Sequence, residues 1–127
     1  MQENVTITNK TKGKLPSLPF VEIKNSVLGK KYELSVVFIG HRRSRKLNNT
    51  YRQKDKPTDI LSFPLDDQNG EIYIYLKKAR AEAKSFDRTE ENFLAFLFIH
   101  GLCHLKGMDH GSTMERAEKT IRKKFSI

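Results

Sequence analysis

From Phe93 to Leu105 the chain reads FLAFLFIHGLCHL, a run that is apolar on nearly every side of a helix. A helix without a polar face must be covered by other elements on most sides, so this segment is the axis around which the rest has to pack. It is far too short to cross a membrane. Phe93 to Ile99, its longest stretch without a polar residue, is about a third of the roughly 20 residues a spanning helix needs. Thr89 is the expected N-cap, with Glu90 and Glu91 complementing the helix dipole; Asn92 replaces the glutamate of a full capping box. Gly107 is the expected stop.

The remaining pattern supplies the covering. Val5 to Thr8 alternates apolar and polar and predicts a first strand, a turn region follows from Gly13 to Pro19, and Pro19 to Leu28 predicts a short helix. Tyr32 to Ile39, YELSVVFI, is rich in β-branched and aromatic residues and predicts a buried strand. His41 to Arg52 sets Leu47 and Tyr51 four residues apart and predicts an amphipathic helix with a basic outer face. Asp59 to Phe63 and Gly70 to Leu76 predict a hairpin around DDQNG, with Ile72 and Ile74 on one face. Helix follows from Lys77, breaks near Ser85 to Arg88, and returns after the apolar segment from Thr113 to Lys124. Strands and helices do not alternate regularly, so the expected fold is α+β, a small mixed β-sheet covered by helices.

The chain has 127 residues, 37% hydrophobic and 31% charged, which suits one globular domain spanning 1–127. The opening MQENVTITNKTKG has no apolar signal core, and the single cysteine, Cys103, can form no internal disulfide; both lead to a cytoplasmic expectation. The formal charge of +9 favours polyanionic partners but equally describes a basic, soluble surface.

Three of the four histidines fall within eleven residues in the order H-x3-H-x2-G-x2-H. His100 and His104 share one face of a helix, a turn apart. A left-handed Gly107 can then swing the chain so that His110 reaches the same ion. Three neutral imidazoles leave a fourth tetrahedral position open, as a catalytic zinc requires. The spacing is that of metzincin proteases, but their general-base glutamate is replaced by Gly101, which cannot move a proton. His41, beside Arg42 and Arg43, is expected at the surface, and Cys103 in the core. Asp109 suits two readings equally, an imidazole-orienting or water-holding group and a plain turn residue.

HGLCHLKGMDH resembles the HGxLHLxGYDH signature of the YbeY family of bacterial endoribonucleases. LNNTYRQKDKPTDILSFP resembles that family's LNxxYRxKDxPTDVLSFP block, and GEIYI its GDIxI strand. The resemblance spans Leu47 to His110, about half of the chain, and departs from the pattern at Cys103 (leucine), Met108 (tyrosine) and Glu71 (aspartate). It implies an α+β fold around one zinc ion held by His100, His104 and His110, with the zinc site at the end of the buried helix. It also implies a single-strand-specific endoribonuclease acting in 16S ribosomal RNA 3′-end maturation and ribosome quality control, with the arginine of the YR pair, here Arg52, essential. The expected partners are RNA, above all ribosomal RNA, and the small ribosomal subunit; neither DNA nor membrane is expected. Chemically, the Arg52 guanidinium can clamp a phosphate through paired hydrogen bonds, although an isolated arginine on a basic helix would otherwise read as a solvated cation. The rival readings are a metalloprotease or amidase, and a non-catalytic zinc-containing ribosome-assembly factor. No residue identifies itself as the general base, and either water or the RNA 2′-hydroxyl suits the role of nucleophile.

Overall fold

A computed structural model describes residues 4–127; residues 1–3, the start of the segment read above for an export signal, lie outside the described residues. The elements run β1 (Val5–Asn9), α1 (Phe20–Leu28), β2 (Glu33–Ile39), α2 (His41–Arg52), β3 (Ile60–Asp66), β4 (Asn69–Tyr75), α3 (Leu76–Glu82), a 3-10 turn (Ala83–Phe86), α4 (Glu90–Leu105) and α5 (Ser112–Lys124). The sheet order is β1-β2-β4-β3, with β1, β2 and β4 parallel and β3 antiparallel to β4. It is the mixed α+β arrangement expected.

Register explains the layering. Val5, Leu34 and Gly70 lie side by side, as do Ile7, Val36 and Ile72, and Phe38 pairs with Ile74. Because side chains alternate across a strand, these residues make one apolar face. Against it pack α1 and α4, with Phe20 edge-on to both Phe38 and Phe98 at 6.2 and 5.1 Å between ring centroids. α4 is buried as its composition requires: it meets β3, β4, α1, α3 and α5, and Phe98, Ile99 and Leu102 are fully enclosed. Val37, Ile39 and Leu61 point to the opposite face, where α2 packs against β4.

The main departure from expectation is β3, which runs three residues past Phe63 and carries Pro64 within it. A proline cannot donate to the ladder, but β3 is an edge strand with a register shift between Pro64 and Asp66, where that loss is tolerated. The hairpin turn is closed by the Asp66 carboxylate, which accepts from Gln68 N at 2.8 Å and from Asn69 Nδ2 at 2.9 Å. Among the described residues no helix is long and apolar enough to cross a membrane.

Candidate metal centre

Thr89 caps α4 as expected, its hydroxyl accepting from Asn92 N at 3.1 Å. The other end closes in a Schellman motif: Gly107 N donates to His104 O and Met108 N to Cys103 O, at 2.9 and 3.1 Å. Gly107 takes φ +95°, a conformation costly for any residue with a Cβ. This reversal returns His110 over the last turn of α4. The ring centroids of His100 and His104, His100 and His110, and His104 and His110 are 4.6, 5.2 and 4.7 Å apart. One ligand atom from each lies within 4.8 Å of the others, so the three together could hold a metal ion.

Hydrogen bonds at the outer edges of the rings sharpen the donor set. His100 Nδ1 lies 3.0 Å from Glu118 Oε2, and His104 Nδ1 lies 3.1 Å from the carbonyl oxygen of Met108. A carbonyl only accepts, so His104 carries its proton on Nδ1; a carboxylate imposes the same tautomer on His100. Both Nε2 atoms then present lone pairs to each other across 3.1 Å. That is close to the separation of about 3.3 Å between two tetrahedral ligands each roughly 2.05 Å from zinc. Burial, and after it the neighbouring His100 and His110, hold the His104 imidazole below the usual histidine range, favouring the neutral form that a metal needs.

Glu118 was not legible as a site residue. It sits on α5, buried at 6% exposure, eighteen residues from His100. One signal did exist: Met114, Glu118 and Ile121 follow helical spacing along the apolar stripe of α5, and a carboxylate there needs a partner. Asp109 is exposed on the cleft, and the two orienting contacts belong to Glu118 and the Met108 carbonyl instead. Cys103 is buried as expected, its thiol pushed up to about 11 by burial and then by Glu118. His41 is exposed at the start of α2, edge-on to Tyr75.

The histidines lie in a cleft of about 1000 Å³ whose walls are the end of α2, the start of β3, α4, the 107–111 loop and α5. Tyr51 and Arg52 line it. Tyr51 is 60% exposed and leans on Phe63 at 4.8 Å between centroids. Arg52 is exposed, its guanidinium 3.5 Å from Asn48 Oδ1, with no carboxylate partner among the described residues. What holds these two at the rim is the inner face of α2. Ser44 donates to Thr58 O and accepts from Thr58 N, at 2.7 and 2.9 Å, and Asn48 Nδ2 donates to Lys56 O at 2.8 Å. Within the 47–64 block, Asn48, Lys56 and Thr58 thus serve, with Ser44, to brace the loop between α2 and β3.

Gly101 also acquires a structural reason. A Cβ there would stand 2.9 Å from Ile60 Cδ1, 3.0 Å from Ser62 Oγ and 3.1 Å from Ile72 Cδ1. The position faces the sheet, where α4 crosses so closely that Ser62 Oγ donates to the Gly101 carbonyl at 3.2 Å.

Fold and site together define an α+β protein with a metal-capable histidine triad on the floor of an open, partly basic cleft. The profile of the family described as Endoribonuclease YbeY matches residues 2–126, and the chain belongs to that family. It is 38% identical over 89 residues to the Endoribonuclease YbeY of Acholeplasma laidlawii, covering 67% of this chain and 65% of that one. To the Endoribonuclease YbeY of Finegoldia magna it is 37% identical over 108 residues, covering 76% and 71%. The matched stretch is therefore a little under two thirds of the first relative and a little over two thirds of the second. The solution structure of TM1509 from Thermotoga maritima superimposes with a TM-score of 0.66 at 26% identity, over 96% of this chain and 91% of that one.

Proposed function

We propose that this chain is a zinc-dependent, single-strand-specific endoribonuclease. In this reading residues 1–127 form one catalytic domain, working in the cytoplasm on ribosomal RNA of the small subunit in 3′-end maturation and ribosome quality control. The observation that carries it is the approach of His100 Nε2 and His104 Nε2 to 3.1 Å, with His110 beside them, inside a cleft that Arg52 lines. Family membership supplies the RNA substrate, since the relatives quoted above are named as endoribonucleases.

His100, His104 and His110 would hold the ion, Glu118 and the Met108 carbonyl fixing the tautomers and ring orientations of the first two. Zinc bound there supplies Lewis acidity and a lowered pKa for water, towards roughly 7. Arg52 binds the scissile phosphate through paired N–H donors and offsets the charge that grows on its oxygens during displacement. Tyr51, exposed beside it and backed by Phe63, offers a ring on which an unpaired base can stack, which suits a single strand better than a duplex. Gly101 weighs against a protease reading, because it faces the sheet where a Cβ already meets Ile60, Ser62 and Ile72 at 2.9 to 3.1 Å and a general-base side chain would be crowded.

The test is cleavage of purified ribosomal RNA by the purified protein with and without chelator, with casein as the control substrate. RNA fragments that vanish with chelator and return with zinc are the expected result. Cleavage indifferent to chelator would overturn the metal role, and hydrolysis of casein but not RNA would overturn the substrate.

A further inference from the structure

Phe96 stands one turn before His100 on α4, and Arg122 one turn after Glu118 on α5, so the Phe96–Arg122 contact repeats the His100–Glu118 contact about 6 Å along the helix pair. The Arg122 guanidinium lies over the Phe96 ring, 5.1 Å from its centroid, and Arg88 lies over the same ring at 4.5 Å. Two guanidiniums on one phenyl ring are attracted by its π-face but repel each other. Neither has a carboxylate partner among the described residues; the Arg88 guanidinium donates only to the side-chain oxygen of Asn92. Burial, and then the Arg122 charge, pull Arg88 below the usual arginine range. Phe96 and Arg122 both line the cleft that holds the histidines.

We infer that Arg122, stacked on Phe96 and seconded by Arg88, forms an anion subsite that takes the backbone phosphate next to the one at the metal centre. A phosphate arriving there relieves the repulsion between the two arginines and meets a fork already held in place by the ring. The other cations of the α5 tail are directed elsewhere: Lys124 Nζ donates to Ser26 Oγ at 3.1 Å, and Lys123 is exposed away from the cleft lining. The cleft then grips a single strand at two successive phosphates, Arg52 on the α2 wall and Arg122 on the α4–α5 wall.

The inference rests on the endoribonuclease reading for its ligand but is tested by binding. The zinc-loaded full chain is titrated against a fluorescent RNA hexamer at several salt concentrations, with the hexamer's integrity checked on a denaturing gel after each titration. Arg122→Gln should weaken binding about tenfold, as losing one charge-assisted contact does, and lower the salt slope by about 0.7, one phosphate's share on a single strand. Arg122→Lys should recover the slope but only part of the affinity, and Lys123→Gln, which removes the same charge from the same helix, should stay within about twofold of the parent. An unchanged slope in Arg122→Gln, or an equal loss in Lys123→Gln, overturns the subsite. Cleavage of ribosomal RNA by the parent chain is scored separately: its absence overturns the enzymatic reading, while the slopes still judge the subsite.

Discussion

Arg52 and Glu118 act at opposite ends of the same chemistry, and single substitutions separate them. Arg52 is exposed and, among the described residues, its side chain bonds only to Asn48 Oδ1, so Arg52→Ala should keep both fold and zinc. Cleavage should nevertheless fall about a hundredfold, on the order of 3 kcal/mol, the usual cost of removing a donor aimed at transition-state charge. Arg52→Lys should rescue little, because an ammonium has no planar fork. Turnover of zinc-replete variants on single-stranded RNA measures this, and near-normal activity in Arg52→Ala would return the residue to the role of a solvated cation. Glu118→Gln works through the ligand instead. Removing the carboxylate that faces His100 Nδ1 should weaken zinc binding by about 10- to 100-fold, as losses behind a ligating histidine do. Competition with a chromogenic chelator reads that constant, and an unchanged value would leave Glu118 merely a buried neighbour.

Two glycines make α4 what it is at the scale of the element. Gly107 ends the helix and Gly101 lets it lie on β3 and β4, and the two demands differ in kind, one torsional and one steric. Gly101→Ala should be nearly neutral. Alanine's helix propensity of about 1 kcal/mol over glycine offsets contacts that fall on the flexible ends of Ile60, Ser62 and Ile72. Gly101→Glu has no such relief, since the carboxylate would be pressed into the face between α4 and the sheet. It should cost about 3 kcal/mol or more in urea unfolding and create no casein hydrolysis. A stable Gly101→Glu variant with new proteolytic activity would refute this account of why the glycine is there.

The metal couples the site to the whole molecule. Its three ligands come from α4 and from the loop between α4 and α5, and Glu118 ties α5 to the same point, so an ion there fastens the loop to α4 and, through Glu118, reinforces the contact with α5. Purified protein should carry about one zinc per chain. At a hundredfold excess over the dissociation constant zinc adds about 2.7 kcal/mol, and chelation should therefore lower the melting temperature by roughly 10 °C. His104→Ala should match the chelated protein in metal content and in melting. Metal below roughly a tenth of an ion per chain, with no uptake of added zinc and no thermal shift, would remove the metal from the molecule altogether.

The histidine spacing, the capped apolar helix and the alternating Ile72 and Ile74 were all legible in the chain because each is set by local geometry: a turn of helix, a left-handed glycine, a pleat. The α+β class and the position of the metal-capable triad at a helix end followed from them. Contacts between residues distant in sequence were not legible. Glu118 behind His100, the sheet pressed against Gly101, Ser44 and Asn48 bracing the loop below Arg52, and Arg122 over Phe96 each join elements whose relative placement depends on packing of the whole core. Strand β3 shows the same division: the local pattern carried it only to Phe63, and only the tertiary structure, by putting β3 at the sheet edge with a register shift beside Pro64, let it run on to Asp66.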